Sequence, residues 1–339
     1  MNVFRVLHVA HFGWFLPSTN YYSIDHKISN GLIRMGHNVQ NWSYREQVRS
    51  LSPFYTTGDL FARKKMNKNL LMTVEQYQPH LLLLGHSELV TTQTLHSIRK
   101  KFPEIRIAQW WVDPLDRVEH IQERLDVLDA FFATTGKSVL LSVFGSQYDK
   151  KMFFFPNICD RCVEVGVAFD NSHSEYDLVF IGRSTPDRLS LLSNLKSACN
   201  HLVIGHFGYS PDTMRFGTSY INILIKSRMG LNYSRSNDIP LSTSDRLIHL
   251  TGNGLLVFSP KVPNMDHLFS DDEIVYYDNL DNLIEKIKYF HANREEGKKI
   301  AMNGWRRAHQ SYAAERVGRF MLETIFEIPY SEPYEWESI

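Results

Sequence analysis

The chain has 339 residues, long for one compact core and comfortable for two domains of about 150 residues each. Hydrophobic residues make up 43% and charged residues 22%, a globular balance that excludes a disordered chain. The 37 basic and 37 acidic side chains cancel, which argues against general nucleic-acid binding and leaves room only for a local basic pocket.

The chain opens without a basic leader or small-residue cleavage site, and its first apolar segment, Phe4 to Ala10, reads as a buried strand. Its apolar runs, such as Leu81 to Leu84 and Val139 to Phe144, fall far short of the ~20 residues a membrane span needs. A helix fits Asn20 to Met35, with Ile24, Ile28 and Leu32 on one face, Arg34 in the last turn and Gly36 as the stop. His37 to Trp42 is the next strand, which completes a parallel β-α-β unit. Phe61 to Gln78 (helix), His80 to Gly85 (strand), Thr91 to Phe102 (helix), Ile105 to Trp111 (strand) and Leu128 to Thr134 (strand) continue the alternation. That pattern predicts a doubly wound sheet with both faces covered.

Periodicity fades between Phe155 and Ser174, where the domain boundary is expected. Cys159 and Cys162 form a C-x-x-C there. With only Cys199 besides, and no second pair of ligands, they read as reduced thiols rather than a zinc or redox site. A second series follows. Strands are expected at Tyr176 to Gly182, His201 to Gly205, Met229 to Tyr233, Gly254 to Ser259 and Glu273 to Tyr277. Helices are expected at Asp187 to Cys199 and Ser242 to Gly252, with three more running to about Phe326. The expected division is 1–165, 166–326 and a tail, 327–339. Each of the first two is an α/β, Rossmann-like domain, and the two face a central cleft.

In open α/β sheets ligands bind beyond the carboxyl ends of the strands. The first domain offers Gly13 after its first strand, where backbone N–H groups could meet a phosphate or the glycine could simply make a turn. His86 and Glu88 after the third strand, and Asp113 before Pro114, are candidates for general base work on a hydroxyl. Each also reads as an ordinary loop residue. Trp14, Tyr21, Tyr22, Trp110 and Trp111 suit either sugar stacking or core packing. The second domain offers Arg183, Ser234 and Arg235 at strand ends, and Ser242, Ser244, Asp245 and Arg246 at the opening of a helix. Three guanidinium forks and a helix N-terminus suit diphosphate oxygens.

At Ser244 to Ser259 (SDRLIHLTGNGLLVFS) the sequence resembles the donor-site helix of GT-B glycosyltransferases of the group 1 kind, especially the CgeB-related branch. Arg246 and Gly254 sit at matching places. Leu268-Phe269, Asp272 to Tyr277, Ile300-Ala301 and Gly304-Trp305 are similar too, as are Leu32 to Val39 and Ile181-Gly182-Arg183 in the earlier part. The resemblance implies a GT-B fold, a nucleotide-sugar donor held by the second domain, no obligatory metal, no cofactor, and a final helix (Glu315 to Phe326) that returns to the first domain. It departs at His249, where the family commonly places a Glu for the donor ribose. An imidazole accepts through one nitrogen only, whereas a carboxylate can take both hydroxyls.

The expected activity is therefore metal-independent transfer of a sugar to a hydroxyl of a glycan, lipid-linked saccharide or other acceptor, with polysaccharide or lipopolysaccharide assembly as the setting. The rivals are a nucleotide-sugar epimerase and a non-catalytic glycan- or nucleotide-binding protein. A dinucleotide-dependent dehydrogenase is disfavoured because His11 to Asn20 holds only Gly13 and no G-x-G-x-x-G. Lys64, Lys65 and Lys68 form either a solvated face or a contact for anionic lipid. The expected location is the cytoplasm, with a peripheral contact at the inner face of the membrane left open.

Overall fold

The structure, a computed structural model, describes residues 3–13, 19–116 and 118–337. It divides into two units, Met1–Pro156 with Ala314–Ile339, and Asn157–Ala313. Unit 1 runs β1 (Arg5–Ala10), α1 (Ile24–Arg34), β2 (Asn38–Ser43), α2 (Tyr44–Leu51), α3 (Leu60–Tyr77), β3 (Leu81–Leu84), α4 (Thr92–Lys101), β4 (Arg106–Trp111), α5 (Glu119–Gln122), β5 (Ala130–Ala133), α6 (Lys137–Phe144) and β6 (Met152–Phe154). Its six strands pair in the order β2-β1-β3-β4-β5-β6, all parallel. Leu81 to Leu84 of β3 are all buried because helices cover both faces of an inner parallel strand.

Unit 2 runs β7 (Tyr176–Ile181), α7 (Pro186–Ala198), β8 (Ile204–Phe207), α8 (Gly217–Ile225), β9 (Ser227–Leu231), α9 (Asp245–Gly252), β10 (Leu256–Pro260), β11 (Val275–Tyr277), α10 (Leu280–Ala292) and α11 (Arg294–Ser311). Its five strands are also parallel, in the order β11-β10-β9-β7-β8. Each sheet thus sends its carboxyl-end loops to one edge.

The units divide at residue 156, not 165, because Asn157 onward bonds into unit 2: Asn157 Nδ2 donates to Thr243 Oγ1 at 2.6 Å and Gly166 N–H to Asn253 Oδ1 at 3.0 Å. The last helix, α12 (Ala314–Ile325), belongs to unit 1 although the numbering by domains assigned it to the second. Gly31 on α1 permits that packing, since a Cβ there would lie 2.4 Å from Ala314 O. Phe326 stacks on Phe4 at 4.1 Å, and the segment after α12 is no loose tail: Tyr334 and Trp336 are buried around Phe320. β8 begins at Ile204 and not at His201, because residues 199–202 form a turn in which Leu202 N–H donates to Cys199 O.

Candidate active site

In unit 2 two arginines meet at the carboxyl ends of β7 and β9. Arg246, in the first turn of α9, donates from Nε to Ile181 O at 2.8 Å and from Nη1 to Tyr233 O at 3.0 Å. Arg188, in the first turn of α7, donates to Arg183 O at 2.9 Å and to the same Tyr233 O at 3.0 Å. Both guanidinium groups lie over the Phe180 ring, at 4.8 Å for Arg246 and 5.6 Å for Arg188. Gly182 leaves them room, since a Cβ there would lie 2.6 Å from Arg246 Nη2. Burial, then the charge of Arg188, pulls Arg246 down to about 10 from 12.5. Burial, then Arg235, lowers Arg188 as well.

Arg188 was not among the expected residues, yet its position has a sequence signal. Thr185 caps α7 and Pro186 opens it, so residue 188 falls in the first turn of the helix that follows β7. Arg183 and Arg235 are exposed at the same strand ends. Among the described residues, none of Arg183, Arg188, Arg235 and Arg246 has an ion-pair partner. Ser234 N–H donates to Asn237 Oδ1, and Ser242 N–H to Ile239 O. Ser244 is the N-cap residue of α9, and its Oγ is buried without a hydrogen-bond partner among the described residues; Asp245 follows in the first turn. A cavity of about 740 Å³ opens beside these ends, lined by Tyr233, Arg235, Asn237, Lys261, Tyr277 and Asp278 among others.

Two expected donor residues do other work. His249 is buried, and its Nδ1 lies 2.8 Å from Glu164 Oε1, so it is paired inside unit 2. α9 is buried all round from Leu247 to Gly252, and His249 is buried with it. Gly254 is a backbone device: it has φ +78°, and a Cβ would lie 2.7 Å from Phe169.

The carboxyl edge of unit 1 holds a second polar cluster. His11 Nε2 lies 3.2 Å from the buried Glu46, which also accepts from Ser43 Oγ. Burial opposes ionisation of Glu46, but the bonds from His11 and Ser43 win and hold it at about 2. Asp25 accepts from His11 N–H at 3.1 Å, and burial raises its carboxyl above the usual range. His86 packs against Trp111 at 4.3 Å, with its Nδ1 3.8 Å from the exposed Asp113 and its Nε2 buried without a partner among the described residues. Glu88 is already engaged, accepting from the Tyr44 hydroxyl and from Arg45 Nη2 at 3.1 Å. Although burial opposes it, these bonds lower its proton affinity.

Beneath this edge Trp110 Nε1 donates to His8 Nε2 at 3.0 Å, which fixes the His8 proton on Nδ1, facing Ser29 Oγ at 2.8 Å. Burial, with His26 nearby, drops His8 to about 3, so it stays neutral. Trp110 and Trp111 are therefore core residues and not sugar platforms. Gly13 takes φ +63° against Asn20, while Tyr21 and Tyr22 pack edge to face; Trp14 lies outside the described residues. Buried Arg124 ties down the loop after β3 through Ser87 O and Val90 O.

Three solved structures share this architecture across nearly the whole chain. A glycosyltransferase from Rickettsia africae matches with TM-score 0.63 and 13% identity over 98% of this chain and 100% of its own. The catalytic domain of starch synthase IV from Arabidopsis thaliana, bound to ADP and acarbose, matches with TM-score 0.66 and 9% identity over 96% and 99%. Anabaena HepE, in complex with UDP and glucose, matches with TM-score 0.60 and 11% identity over 96% and 100%. The fold is GT-B.

In sequence, residues 188–323 match the family model described as glycosyl transferase-like. No curated protein matches the chain. The matched stretch of this GT-B chain starts at Arg188 and contains Arg235 and Arg246, whereas Arg183 and the unit 1 cluster lie outside it. Among the described residues no three His, Cys, Asp or Glu side chains gather as a metal site, and the three cysteines are free thiols. No described helix is long and apolar enough to cross a membrane.

Proposed function

We propose that this protein is a glycosyltransferase, allied to the CgeB-related branch, that moves a sugar from a nucleotide-sugar donor to a hydroxyl of a glycan or lipid-linked acceptor without a metal ion. The observation that carries the reading is the set of arginines at the strand ends of unit 2, where Arg188 and Arg246 converge on one carbonyl with no carboxylate paired to them among the described residues. A concentration of charge with no internal partner suits an anion of two phosphates. The UDP and ADP bound in two similar structures support a nucleoside diphosphate as that anion.

Breaking the sugar–phosphate bond places negative charge on the leaving diphosphate. Fixed guanidinium groups and the N–H groups at the start of α9 stabilise that charge more in the transition state than in the ground state. Arg183 and Arg235, both exposed, bind the outer phosphate oxygens; Arg188 and Arg246 hold the floor. On the acceptor side His86 is the proposed base, with the Asp113 carboxylate 3.8 Å from its Nδ1. Glu88, held by Tyr44 and Arg45, contributes binding. A base is required only if the anomeric configuration inverts. Assembly of a surface polysaccharide or lipopolysaccharide is the setting this reading favours.

The test is a thermal-shift screen against UDP, GDP, ADP, TDP, CMP and NAD. A nucleotide at about 100 times its dissociation constant stabilises the folded state by roughly 2.7 kcal/mol, several degrees in Tm. A shift with one nucleoside diphosphate, reduced in Arg235→Gln, is expected, followed by formation of a new glycoside from the matching sugar donor. An isomerised free nucleotide sugar would overturn the transferase reading in favour of an epimerase. Silence across the panel from folded protein would overturn the donor site itself.

A further inference from the structure

The loop and first turn that open α3 present apolar side chains to water. Phe54 is 85% exposed, Leu60 and Phe61 75% each, and Tyr55 53%. The loop is held in that shape. Tyr55 N–H donates to Ser52 O at 3.1 Å, Arg63 Nε reaches back to Thr57 O at 2.6 Å, and Asp59 caps the helix through Ala62 N–H at 3.0 Å. Tyr55 sits at φ +52°, a backbone conformation that non-glycine residues seldom adopt. These hydrogen bonds order the backbone that carries the exposed side chains.

The helix extends the same face. At about 3.6 residues per turn, Phe61, Lys64, Lys65, Lys68 and Met72 share one stripe. All five are exposed, while Ala62, Met66, Leu70 and Val74 on the opposite stripe are fully buried. The charge is one-sided. From residue 49 to residue 74 the chain carries Arg49, Arg63, Lys64, Lys65 and Lys68 against Asp59 alone.

We propose that this face docks the protein on an anionic phospholipid bilayer. Phe54, Tyr55, Leu60 and Phe61 enter the interface, and Lys64, Lys65 and Lys68 lie along the headgroup phosphates. Charge complementarity selects this occupant. Lysines are depleted from protein–protein interfaces, whereas at a membrane surface their stems lie on apolar groups and their ammonium heads reach phosphate. The exposed Phe54, Tyr55, Leu60 and Phe61 beside three lysines supply both signals, apolar insertion and electrostatic attraction, that stable interfacial binding requires. The proposal rests on exposure and charge in unit 1 and stands whether or not the transferase reading does.

The test is co-sedimentation of the full chain with vesicles of phosphatidylglycerol and phosphatidylcholine, beside pure phosphatidylcholine. Binding to the anionic vesicles alone is expected. Lys64→Gln/Lys65→Gln/Lys68→Gln should weaken partitioning on the order of 100-fold, and Phe54→Ser/Phe61→Ser by at least about tenfold. All of these positions are exposed, so circular dichroism should report folded variants, and their nucleotide-induced thermal shifts should equal that of the parent. Folded protein that stays in the supernatant overturns the proposal. So do variants that bind as the parent does, and so does self-association in the ultracentrifuge that Phe54→Ser/Phe61→Ser abolishes without any vesicle binding.

Discussion

Arg246→Met separates a charge kept for a ligand from a structural clamp. Burial and the neighbouring Arg188 hold Arg246 at about 10 against 12.5 in water. At about 1.4 kcal/mol per tenfold in proton affinity, keeping it charged costs the ligand-free protein about 3 kcal/mol. Because the folded-state value is depressed, the whole cost applies below about pH 10 and fades only as pH rises toward 12.5. It is fully present at neutral pH. Methionine removes that cost and can rest its sulfur on Phe180, a contact worth about 0.3–1.5 kcal/mol. Against this, Ile181 O loses its 2.8 Å donor, about 1–2 kcal/mol, while Tyr233 O keeps Arg188. The cation–π contact with Phe180, about 0.5–1 kcal/mol, also goes. These terms leave Arg246→Met more stable than the parent, by about 0.3–3 kcal/mol, in urea unfolding without nucleotide. The same variant should bind the nucleoside diphosphate about 10- to 100-fold more weakly, the worth of one charge-assisted hydrogen bond to phosphate. A loss of more than about 3 kcal/mol in unfolding free energy, with nucleotide affinity intact, would refute the reasoning and make Arg246 a clamp between β7 and β9.

Arg183→Gln and Arg235→Gln, both at exposed positions, should change stability by less than about 0.5 kcal/mol and weaken nucleotide binding roughly tenfold each in calorimetric titration. Glu46→Gln should lose about 2–3 kcal/mol at pH 7, since the buried carboxylate sits at about 2 against an ordinary 4.5. That stabilisation is present above pH 4.5 and lost as pH falls through about 2, so the gap to the parent in thermal melts should close across that window. Glu164→Ala removes the carboxylate beside buried His249 and should cost about 3 kcal/mol of stability with nucleotide affinity unchanged; weakened nucleotide binding in folded protein would return His249 to the donor site.

The two parallel sheets were legible because inner strands such as Leu81 to Leu84 carry unbroken apolar runs, and α1 because Ile24, Ile28 and Leu32 recur along its face. α6 was not legible. Its sequence, KSVLLSVF, is as apolar as a buried strand, and only Gly145 at φ +102° marks where it stops. Position along a strand–helix alternation also picked out Arg183, Arg235 and Arg246, because each follows a strand or opens a helix. Arg188 escaped because its burial, in the first turn of α7, is decided by Phe180 and Tyr233, residues 8 and 45 positions away by number. His249 was placed on the right helix, but its contact with Glu164 was not legible. Glu164 is 85 residues away in the segment after the C-x-x-C, and no local pattern points from one to the other.

How unit 2 keeps its arginines without carboxylates follows from the sheet itself. At the end of a parallel strand the last carbonyls lack a further strand partner, and here Ile181, Arg183 and Tyr233 each turn such a carbonyl toward a guanidinium. A carbonyl satisfies N–H donors but carries no net charge, so it fixes the arginines without neutralising them. The face of Phe180 adds a quadrupole, again with no net charge. A carboxylate in the same place would lower the cost of the folded state and cancel the field that the proposed diphosphate would meet. The depressed proton affinities of Arg188 and Arg246 are the sign that this neutralisation has not happened. On the proposed reading, the uncompensated burial of the two guanidinium groups, with repulsion from the neighbouring arginines second, is a cost that a bound anion would relieve.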